Sequence, residues 1–326
     1  MIICVSANPA IDRRVRLKKL VPGAVNRAVS AGSFAGGKAA HVAMAAHALG
    51  EETVWTGFIG GATGDELEKQ LNELGIRAVP VYTQAKTRTN DEIIDEQGNI
   101  TEILEPGSAV TEAELEQMYE NCETLIADAV EDFYVVLSGS LPPNLPLDFY
   151  SRLISSAHKQ GGKVILDTSG EAFLNALSAN PDLVKPNREE TENATGVNID
   201  SLDAAILAAS QLRELGAQGV AVSLGRDGIV WMDDDELLIA KPPEVDVIST
   251  VGSGDATVGG FAVGGIRNLG NEETIRLAVA CGAANCLAKF PGQIDAENVE
   301  RLLPLVDVKS VKNDLALRNV GEVATH

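Results

Sequence analysis

The sequence predicts an α/β domain built on a mostly parallel sheet covered by helices on both faces. Three observations carry that reading. Apolar, β-branched runs alternate with helical stretches along most of the chain. The strand runs are continuously apolar, as expected of strands buried on both faces. Several helical stretches stop on a glycine (Gly50, Gly75, Gly161, Gly216), the residue that most readily ends a helix in the left-handed conformation.

In chain order, the first strand is expected over 2–5. The opening residues lack a basic region and a long apolar run, so they read as a buried strand and not as a signal peptide. A helix over 38–49, a strand over 53–58 and helices over 65–74 and 112–127 follow. The second half continues with strand 134–137, helix 147–160, strand 164–167, helix 170–179, strand 183–185, helix 202–215 and strand 220–224. Apolar runs over 229–232 and 237–240 flank Asp233-Asp234-Asp235-Glu236, which reads as a solvated hairpin turn and not as a metal site. A strand-like run over 244–248 leads into the turn 249–255 and an apolar helix over 256–269. Two segments, 13–34 and 78–104, break the alternation with short strands and polar turns. They are expected to form a small sheet standing off the main one, as a lid or an oligomer contact. No internal repeat is evident. The whole of 1–326 reads as a single domain, with lid segments at about 12–35 and 78–106 and a polar tail, 312–326, ordered only by docking.

The chain has 326 residues, 45% apolar and 22% charged, an ordinary globular composition. It holds no run of apolar residues long enough to span a membrane. Its formal net charge of −21 argues against nucleic acid and anionic membranes as partners, since both need a cationic face. An anionic substrate would have to be gathered by local Arg and Lys. Cys4, Cys122, Cys281 and Cys286 lack metal-ligand spacing and read as small apolar residues in a reducing cytoplasm.

The most informative segment is Ser249-Thr250-Val251-Gly252-Ser253-Gly254-Asp255. Its two glycines let the backbone turn several N–H groups toward one point at a helix N-terminus, where open amides and the helix dipole favour an anion. Asp255 brings a carboxylate to the same point, expected ionised at neutral pH. Amides that hold a phosphoryl group beside a carboxylate that accepts a hydroxyl proton suit phosphoryl transfer to an alcohol. The same residues also suit an ordinary Gly-rich turn with a first-turn acid. The phosphoryl reading requires that the segment face a cleft and that its carboxylate not be sealed in a structural ion pair.

Other strand ends carry small, polar or charged residues. Gly36-Gly37-Lys38 precedes a helix, but Ala39 stands where a P-loop needs a hydroxyl, so the segment is a close-approach glycine pair with a charge and not a P-loop. Asp12 follows the first strand and can accept hydrogen bonds from sugar hydroxyls. Arg27, Lys38 and Arg88 are candidate phosphate ligands. Further turns follow later strands at Gly139-Ser140, Lys185-Pro186-Asn187 with Glu190, and Ser223-Leu224-Gly225 with Gly228.

Taken together these residues resemble the phosphofructokinase-B (ribokinase-like) family of sugar kinases over essentially the whole chain, nearest the branch holding 1-phosphofructokinase and tagatose-6-phosphate kinase. The resemblance rests on A-N-P-A-I-D (7–12), A-G-G-K (35–38), T-G-F-I-G-G-A-T-G-D (56–65), T-R-T-N (87–90), L-S-G-S-L-P-P (137–143), L-D-T-S-G-E-A (166–172), V-K-P-N-R-E-E (184–190), V-S-L-G-R-D-G (222–228), A-K-P-P (240–243) and S-T-V-G-S-G-D-A (249–256). It implies a Rossmann-like three-layer αβα core and a small β lid that also joins two copies into a dimer. It implies an ATP- and Mg²⁺-dependent kinase, with Asp255 as base and Gly252, Ser253 and Gly254 as anion hole. Lys185, Asn187, Ser223, Gly225, Gly228 and Asn285 fall at nucleotide positions. Asn187 and Glu190 match the element that orders Mg²⁺ through water. Asp12, Gly36, Gly37, Lys38 and Arg88 fall at sugar-phosphate positions, with Arg27 reaching from the lid and Asn90 and Ser138 as neighbours. The implied acceptor is a phosphorylated ketohexose, fructose 1-phosphate first, then tagatose 6-phosphate or fructose 6-phosphate. The alternatives are an unphosphorylated sugar, polyol or nucleoside, or a silent sugar-phosphate sensor.

One departure stands out. The family's usual G-G-K-G-x-N-V-A is Gly36-Gly37-Lys38-Ala39-Ala40-His41-Val42-Ala43 here. His41 replaces an asparagine that touches a sugar hydroxyl, so it is expected to contact substrate, and Ala39 is expected to limit backbone freedom beside the sugar.

Overall fold

The computed structural model describes residues 1–129 and 132–311, and the expected tail over 312–326 lies outside the described residues. β1 (Ile2–Ser6) is followed by two strands of a separate small sheet, β2 (Ala10–Arg16) and β3 (Ser30–Gly36). Then come α1 (Lys38–Ala48), β4 (Thr53–Ile59), α2 (Gly61–Glu73) and the two-residue strands β5 (Arg77–Ala78) and β6 (Val81–Tyr82). β7 (Arg88–Ile94) and β8 (Ile100–Leu104) return to the small sheet. The chain continues with α3 (Glu112–Ala127), β9 (Tyr134–Ser138), α4 (Phe149–Lys159), β10 (Lys163–Asp167), α5 (Gly170–Leu177), β11 (Leu183–Val184), α6 (Arg188–Thr195), α7 (Leu202–Glu214) and β12 (Val220–Ser223). The hairpin β13 (Ile229–Met232) and β14 (Leu237–Lys241) precedes α8 (Ser253–Ile266), α9 (Asn271–Cys286), α10 (Ala296–Leu302) and β15 (Asp307–Ser310).

The main sheet runs β15-β14-β13-β12-β11-β10-β9-β1-β4-β5, with β6 also paired to β4. It is parallel from β12 to β4 and its short partners, and antiparallel from β12 to β15. Alternate side chains feed two cores. Ile2 and Cys4 of β1 pack with Val42, Phe261 and Ala278 on one face, while Ile3 and Val5 pack with Met118, Phe149 and Leu212 on the other. Full burial of each Val, Leu, Ile, Phe or Met side chain among them contributes about 1.5–3 kcal/mol. The expected three-layer core with a mostly parallel sheet is therefore what the chain forms. Burial also pushes the Cys122 and Cys281 thiols up to about 12, in keeping with inert core cysteines.

The small sheet runs β3-β2-β7-β8, with β2 and β7 parallel and the outer pairs antiparallel. It draws on both segments assigned to the lid, but 77–82 does not belong to it. Val79 N donates to Trp55 O, and Val81 is buried against the main core, so this apolar stretch edges the main sheet. A second correction concerns 244–248, which forms no strand. Pro242 and Pro243 precede it, Val247 and Ile248 are exposed, and its one backbone tie is Ile248 N to Cys286 O at 2.7 Å. The turn 233–236 is a hairpin, with Asp233 Oδ1 accepting from the backbone N–H of Asp235 and Glu236.

α8 lies between α1 and α9. A Cβ at Gly259 would come within 2.9 Å of Ala45 Cβ, and one at Gly260 within 2.5 Å of Ala278 Cα. The paired glycines let three helices approach closely, and this brings the N-terminus of α8 against the start of α1. Among the described residues no helix is long and apolar enough to cross a membrane.

Candidate active site

Ser223, Asp167 and Ser138 end the adjacent parallel strands β12, β10 and β9, and Lys185 follows β11 between them. The carboxyl rim of such a sheet is where ligands bind. The N-terminus of α8 faces the same rim. Gly252 is its N-cap in the left-handed conformation at φ 80°, which an L side chain rarely adopts, and no side chain caps the helix. Ser253 N donates to Thr250 O at 3.2 Å, while the amides of Gly254 and Asp255 are open to an anion. A Cβ at Gly254 would lie 3.4 Å from Lys185 Nζ, so a buried ammonium points at the same turn.

Asp255 sits in that first turn. Its side chain keeps 12% exposure and is not sealed. One oxygen, Oδ2, lies 2.8 Å from His41 Nδ1; Oδ1 has no hydrogen-bond partner among the described residues. The other imidazole nitrogen, Nε2, lies 3.1 Å from Asp12 Oδ2 but off the line of a good hydrogen bond. Burial pushes the imidazole pKa down, but the contacts with Asp12 and Asp255 outweigh it and lift it to about 10. Ala39 is a buried helical residue, and the backbone there has no positive φ to relieve.

A second network continues from Lys185. Asp167 is buried at 1% exposure, with Oδ1 at 3.5 Å from Lys185 Nζ and 3.4 Å from Lys38 Nζ. Its Oδ2 accepts from Ser138 Oγ at 3.3 Å. Burial opposes the charge on Asp167, but the two ammonium groups and these hydrogen bonds hold its carboxyl below the usual range. Lys38 also reaches Glu190 Oε1 at 3.5 Å, and these carboxylates, with Asp255, overcome desolvation and raise its pKa. Lys38 therefore stands on the Asp167–Glu190 side, apart from Arg88. Asp167 was missed from sequence; its signal was a carboxylate at a strand end in L-D-T-S.

Asp12 marks the opposite side. Strand pairing sets Asp12 beside Asn90 and Ala10 beside Arg88. Asn90 Nδ2 donates to Asp12 Oδ1 at 2.9 Å, while Asn90 Oδ1 is buried without a partner. A buried acceptor without a donor, beside a carboxylate, suits a polyol hydroxyl. A Cβ on Gly36 would fall 2.2 Å from Asp12 Cγ, so only glycine there allows this placement. Gly37 N lies 3.4 Å from Asp12 Oδ2. Arg88 donates to Asn8 O and Glu105 O, which aims its guanidinium; burial lowers its pKa, against the raising charges of Asp12 and Glu105.

On the nucleotide side, Asn187 and Glu190 form a capping box for α6. Asn187 Oδ1 accepts from Glu190 N and Glu190 Oε2 from Asn187 N, both at 2.8 Å. Among the described residues no three His, Cys, Asp or Glu gather as a metal cage. Ser223 pairs with Asn187 through a backbone bridge, and Gly225 and Gly228 take positive φ in the turn after β12. Asn285 is 1% exposed. Its Nδ2 donates to Val251 O and Ser253 Oγ, and its Oδ1 accepts from Gly292 N. The amide braces the anion turn and is committed to protein partners. Arg27 is exposed between β2 and β3 and makes no hydrogen bond or ion pair among the described residues, so it is not gathered into the cluster. A buried pair joining the lid to this turn was also not legible from residue spacing. Arg14 Nε meets Glu92 Oε2 at 2.6 Å, and Ser249 Oγ donates to Glu92 Oε1 at 3.1 Å.

The family model for pfkB family carbohydrate kinases matches residues 2–294. A 1-phosphofructokinase of Bacillus subtilis is 32% identical over 310 residues, 94% of this chain and 99% of that protein. One of Xanthomonas campestris is 37% identical over 284 residues, 85% of this chain and 88% of that protein. The crystal structure of phosphofructokinase-2 of Escherichia coli in complex with fructose-6-phosphate superposes with a TM-score of 0.85 at 30% identity, covering 93% of this chain and 98% of that one.

Proposed function

The chain belongs to the pfkB family of carbohydrate kinases, and from that premise we propose that it transfers the γ-phosphoryl group of ATP to a primary hydroxyl of a ketohexose phosphate, fructose 1-phosphate first. The observation that carries the reading is Asp255, with one carboxylate oxygen free, in the uncapped first turn of α8. Oδ1 accepts the hydroxyl proton as the new O–P bond forms. The amides of Gly254 and Asp255 and the ammonium of Lys185 take up phosphoryl charge, and Lys38, held by Asp167 and Glu190, stands on the same side. Asp12, Asn90 and Gly37 receive sugar hydroxyls, and Arg88 holds the phosphate already on the sugar. Asn285 acts by bracing the turn. Glu190 and Asn187 are oxygen donors that would help hold Mg²⁺, and the ion would supply neutralisation of phosphate charge. The free buried thiols fit the cytoplasm.

A screen of ADP release over fructose 1-phosphate, fructose 6-phosphate, tagatose 6-phosphate and free sugars tests the acceptor. The likeness to the fructose-6-phosphate complex makes that sugar the second candidate. Arg88→Ala should raise KM for the preferred sugar phosphate by about 10- to 150-fold, the loss of a hydrogen bond to a charged group of about 1.5–3 kcal/mol, and leave KM for ATP unchanged. An unchanged sugar KM would point to an unphosphorylated acceptor, and ligand binding without ADP release to a silent sensor.

The lid is also proposed as the contact of a homodimer. Val29, Ile103 and Leu104 on it are 65%, 55% and 61% exposed, and a second copy would cover them. Light scattering should return twice the chain mass; a monomer mass at micromolar concentration would remove this contact.

A further inference from the structure

His41 stands where the family carries asparagine, and its geometry asks for more than a sugar contact. The residue is 3% exposed. Its backbone is pressed by the loop after α9: Gly292 has φ 74°, and a Cβ there would lie 2.6 Å from His41 Cα. That glycine is tied to Asn285, which also holds Ser253 and Val251 of the anion turn. The ring is thus fixed by the loop that fixes the phosphoryl site.

Each ring nitrogen faces a carboxylate oxygen: Nδ1 is hydrogen-bonded to Asp255 Oδ2 at 2.8 Å, and Nε2 stands 3.1 Å from Asp12 Oδ2 in charge contact, off the line of a hydrogen bond. A neutral imidazole has one N–H, and its second nitrogen would turn a lone pair toward an anion in a buried site. Only the imidazolium offers a proton to both. The charged groups against the ring are Asp12 from β2 and Asp255 from α8; Lys38, one turn earlier on α1, and Glu102 of β8 act on Asp255, Arg88 of β7 and Glu102 act on Asp12, and the loop after α9 meets His41 with the backbone of Gly292. Asparagine at this place would bring no charge, and two carboxylates would share the site without a cation between them.

We propose that His41 is a positioning residue for the base: as an imidazolium it pins Asp255 by one oxygen against Asp12, leaving the other oxygen alone to meet the acceptor hydroxyl. The role rests on the kinase reading above. It differs from a sugar contact in what it controls. A contact sets acceptor affinity; a clamp on Asp255 sets how often the base is aligned, and so acts on kcat. It also makes the acceptor fit a fixed span between Asp12 and Asp255, which narrows the choice of sugar.

Nitrogen-detected spectra of the ¹⁵N-histidine-labelled full chain test the bridge without turnover. The chain has four histidines, so replacing His47, His158 and His326 in turn identifies the His41 signals even if a His41 variant fails to fold. At pH 8 both His41 nitrogens should be protonated. In Asp255→Asn the ring should titrate at least about one pH unit lower, since one anionic partner is gone. A neutral tautomer at pH 8, or an unmoved titration in Asp255→Asn, would overturn the bridge. In steady-state assays His41→Asn should lower kcat by on the order of 10- to 100-fold, the scale of a misplaced catalytic group, with KM for the sugar phosphate changed less than about threefold. A raised KM at unchanged kcat would instead make His41 a substrate contact only. Should the wild-type chain turn over no sugar phosphate, the kinase reading fails while the spectra still decide the bridge.

Discussion

Asp255→Asn is expected to lower kcat by about 10²–10⁴, the range usual for removal of a general acid–base group. Asparagine fills the same space at the start of α8 and can still accept from His41, so the fold and the anion turn should persist. What it lacks is the capacity to take the hydroxyl proton as the O–P bond forms. Removing a group that acts mainly in the transition state lowers kcat and kcat/KM together, so the sugar and ATP KM values should move little. Single-turnover rates under saturating ATP would isolate the phosphoryl step from product release. Retention of kcat within a few-fold of wild type would show that the proton leaves by another route, and the role of the α8 N-terminus would shrink to binding phosphate. Nearby carboxylates offer no obvious substitute: Asp12 is shared with Asn90 and His41, and Asp167 is enclosed by two lysines and Ser138.

The elements legible in the sequence were those whose cause is local. Continuous apolar runs marked β1, β4, β9, β10 and β12 to within a residue or two, because strands buried on both faces tolerate little else. Glycine at 252 marked the anion turn, because its left-handed backbone has few other occupants. The run over 244–248 misled for a related reason: Val245, Val247 and Ile248 look like a strand, but pairing needs a neighbour, and two prolines before it leave the segment on the surface. What stayed hidden was pairing between residues distant along the chain. Asp12, His41 and Asp255 were each singled out, yet nothing in their spacing says that one imidazole would bridge the other two. Asp167 looked like the end of a strand until β11 brought Lys185 and α1 brought Lys38 against it. Arg27 was grouped with Lys38 and Arg88 on charge and, through the resemblance, as reaching from the lid; in the single chain it stays exposed between β2 and β3.

Asp167→Ala is expected to destabilise the protein by about 3–5 kcal/mol, the usual consequence of removing one partner of a buried ion pair. The carboxylate is 1% exposed, and the Lys185 ammonium it faces has 4% side-chain exposure. Without Asp167, Lys185 is a buried cation whose carboxylate partner is gone. Lys38, at 37% side-chain exposure, can turn toward water and should suffer less, so Lys38→Ala is expected to be much milder than Asp167→Ala. Linkage gives an independent check. The native carboxyl lies below its unfolded value, so its contribution is present above about pH 4 and is lost as acid carries the protein down through the native pKa; Asp167→Ala should lose this part of the acid sensitivity. Thermal and urea unfolding from pH 7 down to about pH 2 read both effects. A midpoint within about 1 kcal/mol of wild type at pH 7 would mean that Asp167 does not hold the two lysines. Asp167→Leu combined with Lys185→Met separates fold from function, because replacing a whole buried pair by apolar groups is often neutral. The double variant should recover most of the stability lost by Asp167→Ala and, on the proposed role of Lys185, none of the ATP affinity.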